Sequence, residues 1–163
     1  LCHQLYEVAT PEFKEYIKNV KKNAKTLANK LIELGFSISS NGTDNHIVLV
    51  NVRDKGVTGS KVEKVCELAD ISINKNAVYG DISAMNPGGI RLGSSAMTTR
   101  LCDETHFTKM AEFIDETVKI CLEIQKKKGV KLKDFLVDIE KNESIIELRK
   151  KVNEFSRDLY FPS

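Results

Sequence analysis

No apolar run in this chain approaches the roughly 20 residues of a membrane-spanning helix, and no segment has a signal-peptide pattern. Charge of one sign is also scarce: 25 Lys and Arg face 23 Asp and Glu, a formal net of +2. No global field therefore draws the chain to nucleic acid or to an anionic membrane. The lysines of "KNVKKNAK" lie opposite an apolar stripe with no aromatic platform between them, so neither partner is expected. The four cysteines, Cys2, Cys66, Cys102 and Cys121, share no CxxC spacing. That excludes a disulfide framework and predicts reduced, partly buried thiols in a cytosolic-type compartment. A zinc site would need His3, His46 or His106 to converge with those cysteines from distant segments, so no metal is assigned. No Ser/His/Asp order presents itself, and the glycine-rich "NPGG" lacks the lysine and hydroxyl of a phosphate-binding loop. Spacing alone yields no catalytic residue.

What is present suits one α/β globule. The chain has 163 residues, 41% of them hydrophobic, enough for a real core. Leu1, Leu5 and Val8 recur at helical spacing in "LCHQLYEV" without a cap before them, so this stretch reads as the end of a helix from something longer. Thr10 as N-cap, Pro11 at the first position and Gly35 at the end bracket a helix whose stripe is Phe13, Ile17, Val20, Ala24, Leu27, Leu31 and Leu34. The period then shortens. Phe36–Ile38 and "HIVLVNV" read as strands around the turn-forming "SSNGTDN". Ser60 and Glu63 have capping-box spacing for a short helix, "DISIN" from Asp70 alternates as a strand, 77–89 is a loop, and Ile90–Gly93 is another strand. Asp103 opens a long helix ending at Lys126–Gly129, and Ser144 with Glu147 opens a last one. The elements predict a small sheet covered by helices, mainly on one face.

Two places invite a functional reading. Arg91 stands between Ile90 and Leu92 in a strand that its neighbours mark as buried, and a guanidinium there must find a partner. Either a carboxylate of this chain pairs with it, or its fork meets a ligand carboxylate that Gly88, Gly89 and Gly93 allow to approach the backbone. "NKN", Asn74-Lys75-Asn76, either ends a strand or offers amides to a planar heterocycle. His46 is read as bonding the backbone of its turn and is left out of the site.

The segments "TPEFKEY", "NGTDNHIVLVNVRDKGVTG", "ISINKNAV" and "GGIRLGSSAMTTR" resemble, in this order and spacing, the serine hydroxymethyltransferases. These are pyridoxal-phosphate enzymes that interconvert serine and glycine with tetrahydrofolate as the one-carbon carrier. The resemblance spans essentially the whole chain and implies the C-terminal small domain of a fold-type I subunit, α/β with a small, mostly antiparallel sheet. Residues 1–9 would be the end of a helix linking from a missing large domain, and 10–163 the small domain. By resemblance, Arg91 clamps the substrate α-carboxylate, Asn76 with Lys75 beside it contacts the folate pterin, and Arg100 supports the site.

The family's Schiff-base lysine run and its pyridinium-pairing aspartate do not occur here. Pyridoxal 5'-phosphate is then expected on the missing large domain, and this piece alone is expected to be inactive, with no catalytic, cofactor-binding or metal-binding residue of its own. The resemblance further implies serine or glycine and folate as ligands, a homodimer or homotetramer, and a cytoplasmic location with a mitochondrial one as the alternative. Ser94-Ser95, Cys102 and the loop "VYGDISAMNPGG" depart from the family pattern, and the lost proline predicts a less constrained turn after Arg91. The competing reading is a self-standing α/β module that binds a small ligand without catalysis.

Overall fold

A computed structural model describes residues 2–82 and 86–161. Leu1 of the first apolar pattern and 83–85 of the expected loop lie outside the described residues. Helix α1 (Cys2–Val8) buries none of its residues. Helix α2 (Pro11–Glu33) starts as its spacing predicts: Thr10 is extended and its Oγ1 accepts the Phe13 N–H at 3.3 Å. At its other end Gly35 takes φ +79°, and the Phe36 N–H returns to the Leu31 carbonyl at 2.9 Å. The stripe is buried from Val20 to Leu31, whereas Ile17 is exposed, so only the C-terminal half of the seam enters the core.

Four antiparallel strands follow in the spatial order β1 (Ser37–Ile38), β2 (Ile47–Asn51), β4 (Gly89–Gly93), β3 (Asn74–Asn76). Their inward residues Ile38, Val48, Val50, Ile90 and Leu92 join one core with α2, α3 (Gly59–Leu68), α5 (Glu104–Lys128) and α7 (Glu143–Arg157). The helices cover this face, whereas β2 alternates half-buried with buried residues and Arg91 and Gly93 of β4 are exposed, which marks the other as the open face. Asp103 opens α5, accepting from the N–H groups of Thr105 at 3.0 Å and His106 at 3.2 Å. Two short helices, α4 (Ser95–Thr99) and α6 (Leu132–Phe135), carry too little apolar periodicity to be read from sequence.

Several expectations are corrected. Helix α3 begins at Gly59 after Thr58 with no side-chain cap, so Ser60 and Glu63 form no capping box. Glu63 instead turns to the sheet edge, where its carboxylate accepts the Lys75 N–H at 2.9 Å. The alternation in "DISIN" does not form a strand: Asp70 adopts φ +58°, and the Ile71 N–H bonds back to the Cys66 carbonyl, closing α3. Pairing starts only at Asn74. Helix α7 is capped by Asn142, whose Oδ1 accepts the Ile145 N–H at 3.3 Å, rather than by Ser144. The turn after Arg91 is also tightly held. Ser94, which is buried, donates from Oγ to the Val20 carbonyl at 2.8 Å and from N–H to the His46 carbonyl at 3.0 Å.

Candidate functional site

Strand pairing decides which residues share the uncovered face. Arg91 lies opposite Leu49 on β2 and opposite Asn74 on β3, while Gly89 lies opposite Asn51 and Asn76. Because side chains alternate along a strand, Ile47, Leu49, Asn51, Arg91, Asn74 and Asn76 all project to this side. Asn76 is the diagonal neighbour of Arg91, a separation of about 7–8 Å between such positions. One guanidinium thus stands in a field of amides and aliphatic groups, with no carboxylate among those outward positions.

The premise that Arg91 is buried is overturned. Its flanking residues Ile90 and Leu92 point into the core, and the period of two turns Arg91 out, where it is exposed. Among the described residues no carboxylate pairs with it; the ion pairs join other side chains. An arginine fork that projects from a paired strand without an internal partner can receive an external carboxylate in two parallel charge-assisted bonds. Leu49 and Ile47 beside it would lower the local dielectric once the face is covered, strengthening that contact.

The glycines have a different role from the one the sequence suggests. A Cβ on Gly88 would lie 2.6 Å from Nε of Arg53, and one on Gly89 would lie 2.8 Å from the Val50 carbonyl oxygen and collide with Val78. These two glycines admit neighbours within the chain. Gly93 alone is open, its nearest atom being the His46 carbonyl oxygen at 3.9 Å.

The "NKN" triplet divides by face. Asn76 is half-buried beside the Arg91 row, and its Nδ2 donates to the Ala77 carbonyl at 2.7 Å, leaving the amide oxygen to accept. Lys75 points to the opposite side, where its ammonium meets Glu63 at 3.1 Å. It covers the outer edge of β3, a common protection against unwanted pairing. Asn74 stands directly opposite Arg91, on the same side as Asn76, as the period of two in "NKN" requires. Arg100 is turned away from this face as well. Its guanidinium donates to the carbonyls of Tyr160 at 3.0 Å, Ser156 at 3.3 Å and Leu159 at 3.4 Å, holding the C-terminal end of α7. His46 is exposed and serves the turn through its carbonyl; Asn45 and Thr43 supply the side-chain bonds there, to the Ile47 N–H at 2.7 Å and the Ile47 carbonyl at 2.6 Å.

The loop between β3 and β4 is closed by a carboxylate that sequence reasoning missed. Asp81 Oδ2 accepts the N–H of Val78 at 2.8 Å and of Gly88 at 2.9 Å, and Oδ1 accepts from the Arg53 guanidinium. The Gly88 and Val78 N–H groups, then the Arg53 charge, hold the Asp81 carboxyl below the usual carboxylate range.

A profile described as serine hydroxymethyltransferase matches residues 2–114. Serine hydroxymethyltransferase 5 of Arabidopsis thaliana is 46% identical over 162 residues, which cover 99% of this chain and 34% of that protein. The cytosolic serine hydroxymethyltransferase of Candida glabrata is 44% identical, covering 97% of this chain and 34% of its own length. That of Bombyx mori is 46% identical over 160 residues, 96% of this chain and again 34% of the relative. The chain therefore spans about a third of the length of these relatives. With that profile matching more than half of its length, the chain belongs to the serine hydroxymethyltransferase family.

Proposed function

We propose that the chain works as the C-terminal portion of a serine hydroxymethyltransferase, in which Arg91 binds the α-carboxylate of serine or glycine and Asn76 contacts the folate that carries the one-carbon unit. The observation that carries this reading is the exposed guanidinium on the open sheet face, which pairs with no carboxylate among the described residues and has Asn76 diagonal to it. Two parallel bonds to a carboxylate fix the torsion about the substrate Cα, so the bond to be broken is held in one direction relative to a cofactor. In the family, pyridoxal phosphate supplies the electron sink for that bond.

The residues of this face do not fit the cofactor. The outward positions of the sheet include no lysine to engage an aldehyde and no carboxylate to pair with a ring nitrogen. The group belongs to another part of the complete protein, and this chain by itself would be inactive. We place the complete protein in the cytoplasm, as the names of its cytosolic relatives suggest, and as a homodimer or homotetramer; a mitochondrial address is the alternative.

The test is steady-state kinetics of the full-length protein carrying Arg91→Lys and Arg91→Ala. Each charged hydrogen bond is worth about 1.5–3 kcal/mol, so Arg91→Lys should lower kcat/KM for serine at least about tenfold and Arg91→Ala about 100-fold or more. Unchanged kcat/KM in both variants would remove Arg91 from the site.

A further inference from the structure

Residue Asn76 stands where β3 gives way to the loop that returns at Gly89, so its direction depends on how the neck of that loop is held. Three sets of bonds converge there. Asp81 bonds the N–H groups of both legs of the neck, Val78 and Gly88. Arg53, from the turn after β2, grips Asp81 and donates to the Gly80 carbonyl at 3.0 Å. The N–H groups of Val52 and Arg53 meet the Gly88 carbonyl at 2.9 and 3.0 Å, and the Gly59 N–H meets the Pro87 carbonyl at 2.8 Å. Gly88 lacks a Cβ where one would lie 2.6 Å from two nitrogens of Arg53 and 2.8 Å from Asp81, so the backbone is shaped around this ion pair. The Asp81 side chain is only 8% exposed although it sits in a surface loop. An ion pair on the surface for solubility alone would need neither the burial nor the two backbone bonds.

We propose that Asp81 and Arg53 are positioning residues for the folate side of the site, fixing Asn76 through the loop neck while leaving Arg91 to the strands. The asymmetry follows from the register. Arg91 is paired on both sides, to Leu49 and to Asn74, whereas Asn76 is the last paired residue before the loop. Loosening the neck therefore frees Asn76 first. This inference rests on the reading that Asn76 contacts folate and Arg91 the carboxylate.

The experiment is a KM comparison in the full-length holoenzyme for Asp81→Asn, Arg53→Lys and Asn76→Ala, with tetrahydrofolate and serine varied in turn. In Asp81→Asn the acceptor for two N–H groups and a guanidinium becomes an amide that can serve only some of them. The expected result is a tetrahydrofolate KM raised at least tenfold with serine KM changed less than threefold, and a smaller shift of the same kind in Arg53→Lys, which keeps the charge and loses the fork. Should Asp81→Asn fail to fold, the milder Arg53→Lys decides. A tetrahydrofolate KM that does not move, or two KM values that rise together, would overturn the positioning role if Asn76→Ala itself raises tetrahydrofolate KM. An Asn76→Ala variant with normal tetrahydrofolate KM would instead overturn the folate assignment on which the inference rests.

Discussion

Replacing Gly59 by alanine probes the junction that supports the site strand. The first residue of α3 passes so close to β4 that a Cβ on Gly59 would collide with the Gly89 carbonyl and lie 3.1 Å from that of Pro87. Both obstacles are backbone, so no rotamer change relieves them; the helix start must move away. Overpacking of this kind costs about 1–3 kcal/mol. The shift would also stretch the 2.8 Å bond from the Gly59 N–H to Pro87, adding about 0.5–1.5 kcal/mol. Against this, alanine in place of glycine in a helix recovers at most about 1 kcal/mol. The collision wins, and the net destabilisation is about 2 kcal/mol. With a urea m-value of about 1–3 kcal/mol/M, the midpoint should fall by about 1 M. Gly93→Ala is the control: its nearest neighbour is 3.9 Å away, so the midpoint should hold or rise slightly. A Gly59→Ala midpoint equal to or above the parent's would refute the close approach of α3 to β4.

Asn23, 3% exposed, donates to Thr98 Oγ1 at 3.0 Å and to the Cys102 carbonyl at 2.9 Å. Asn23→Ala removes both bonds and strands a buried carbonyl, so urea denaturation should show a loss of about 2–4 kcal/mol. Asp103→Ala deletes the cap of α5 and should cost about 1 kcal/mol by the same measurement. Hydrogen bonds from the His106 side chain and backbone lower the Asp103 carboxyl, and those of Arg149 and Asn153 lower that of Asp70. Groups lowered on folding add stability that is complete above the ordinary carboxylate range and is lost as pH falls through their folded values. The acid branch of a pH–stability curve should therefore flatten in Asp103→Ala. Burial pushes the Cys66 thiol up to about 12 and the Cys121 thiol higher still, while Cys2 is exposed. A thiol reagent under native conditions should modify Cys2 quickly and Cys66 and Cys121 only on unfolding.

The helices were legible because their signals are local. Thr10, Pro11, Asp103 and Gly35 act within one turn of where they stand. The strands were less so. "DISIN" alternates, yet Asp70 in a left-handed conformation spends that stretch on closing α3, and only the partner strand reveals that pairing begins at Asn74. Arg91 was found but misplaced: two aliphatic neighbours suggested burial, whereas the period of two turned it outward. The same period separates Lys75 from Asn74 and Asn76. Gly88 and Gly89 looked like ligand clearance and turned out to be clearance for Arg53, Asp81 and Val78. That network joins residues 28 apart in the chain through geometry that no local pattern encodes.

The proposed recognition of a carboxylate by Arg91 predicts how the full-length holoenzyme binds glycine and glycinamide, with and without Arg91→Lys. Glycinamide keeps the size and amine and loses the charge, so the parent should prefer glycine by about 100-fold, the equivalent of about 2.7 kcal/mol. Arg91→Lys should shrink that preference at least about tenfold, since a lysine cannot form the fork. A preference for glycine that survives Arg91→Lys and Arg91→Ala undiminished would show that Arg91 does not hold the carboxylate.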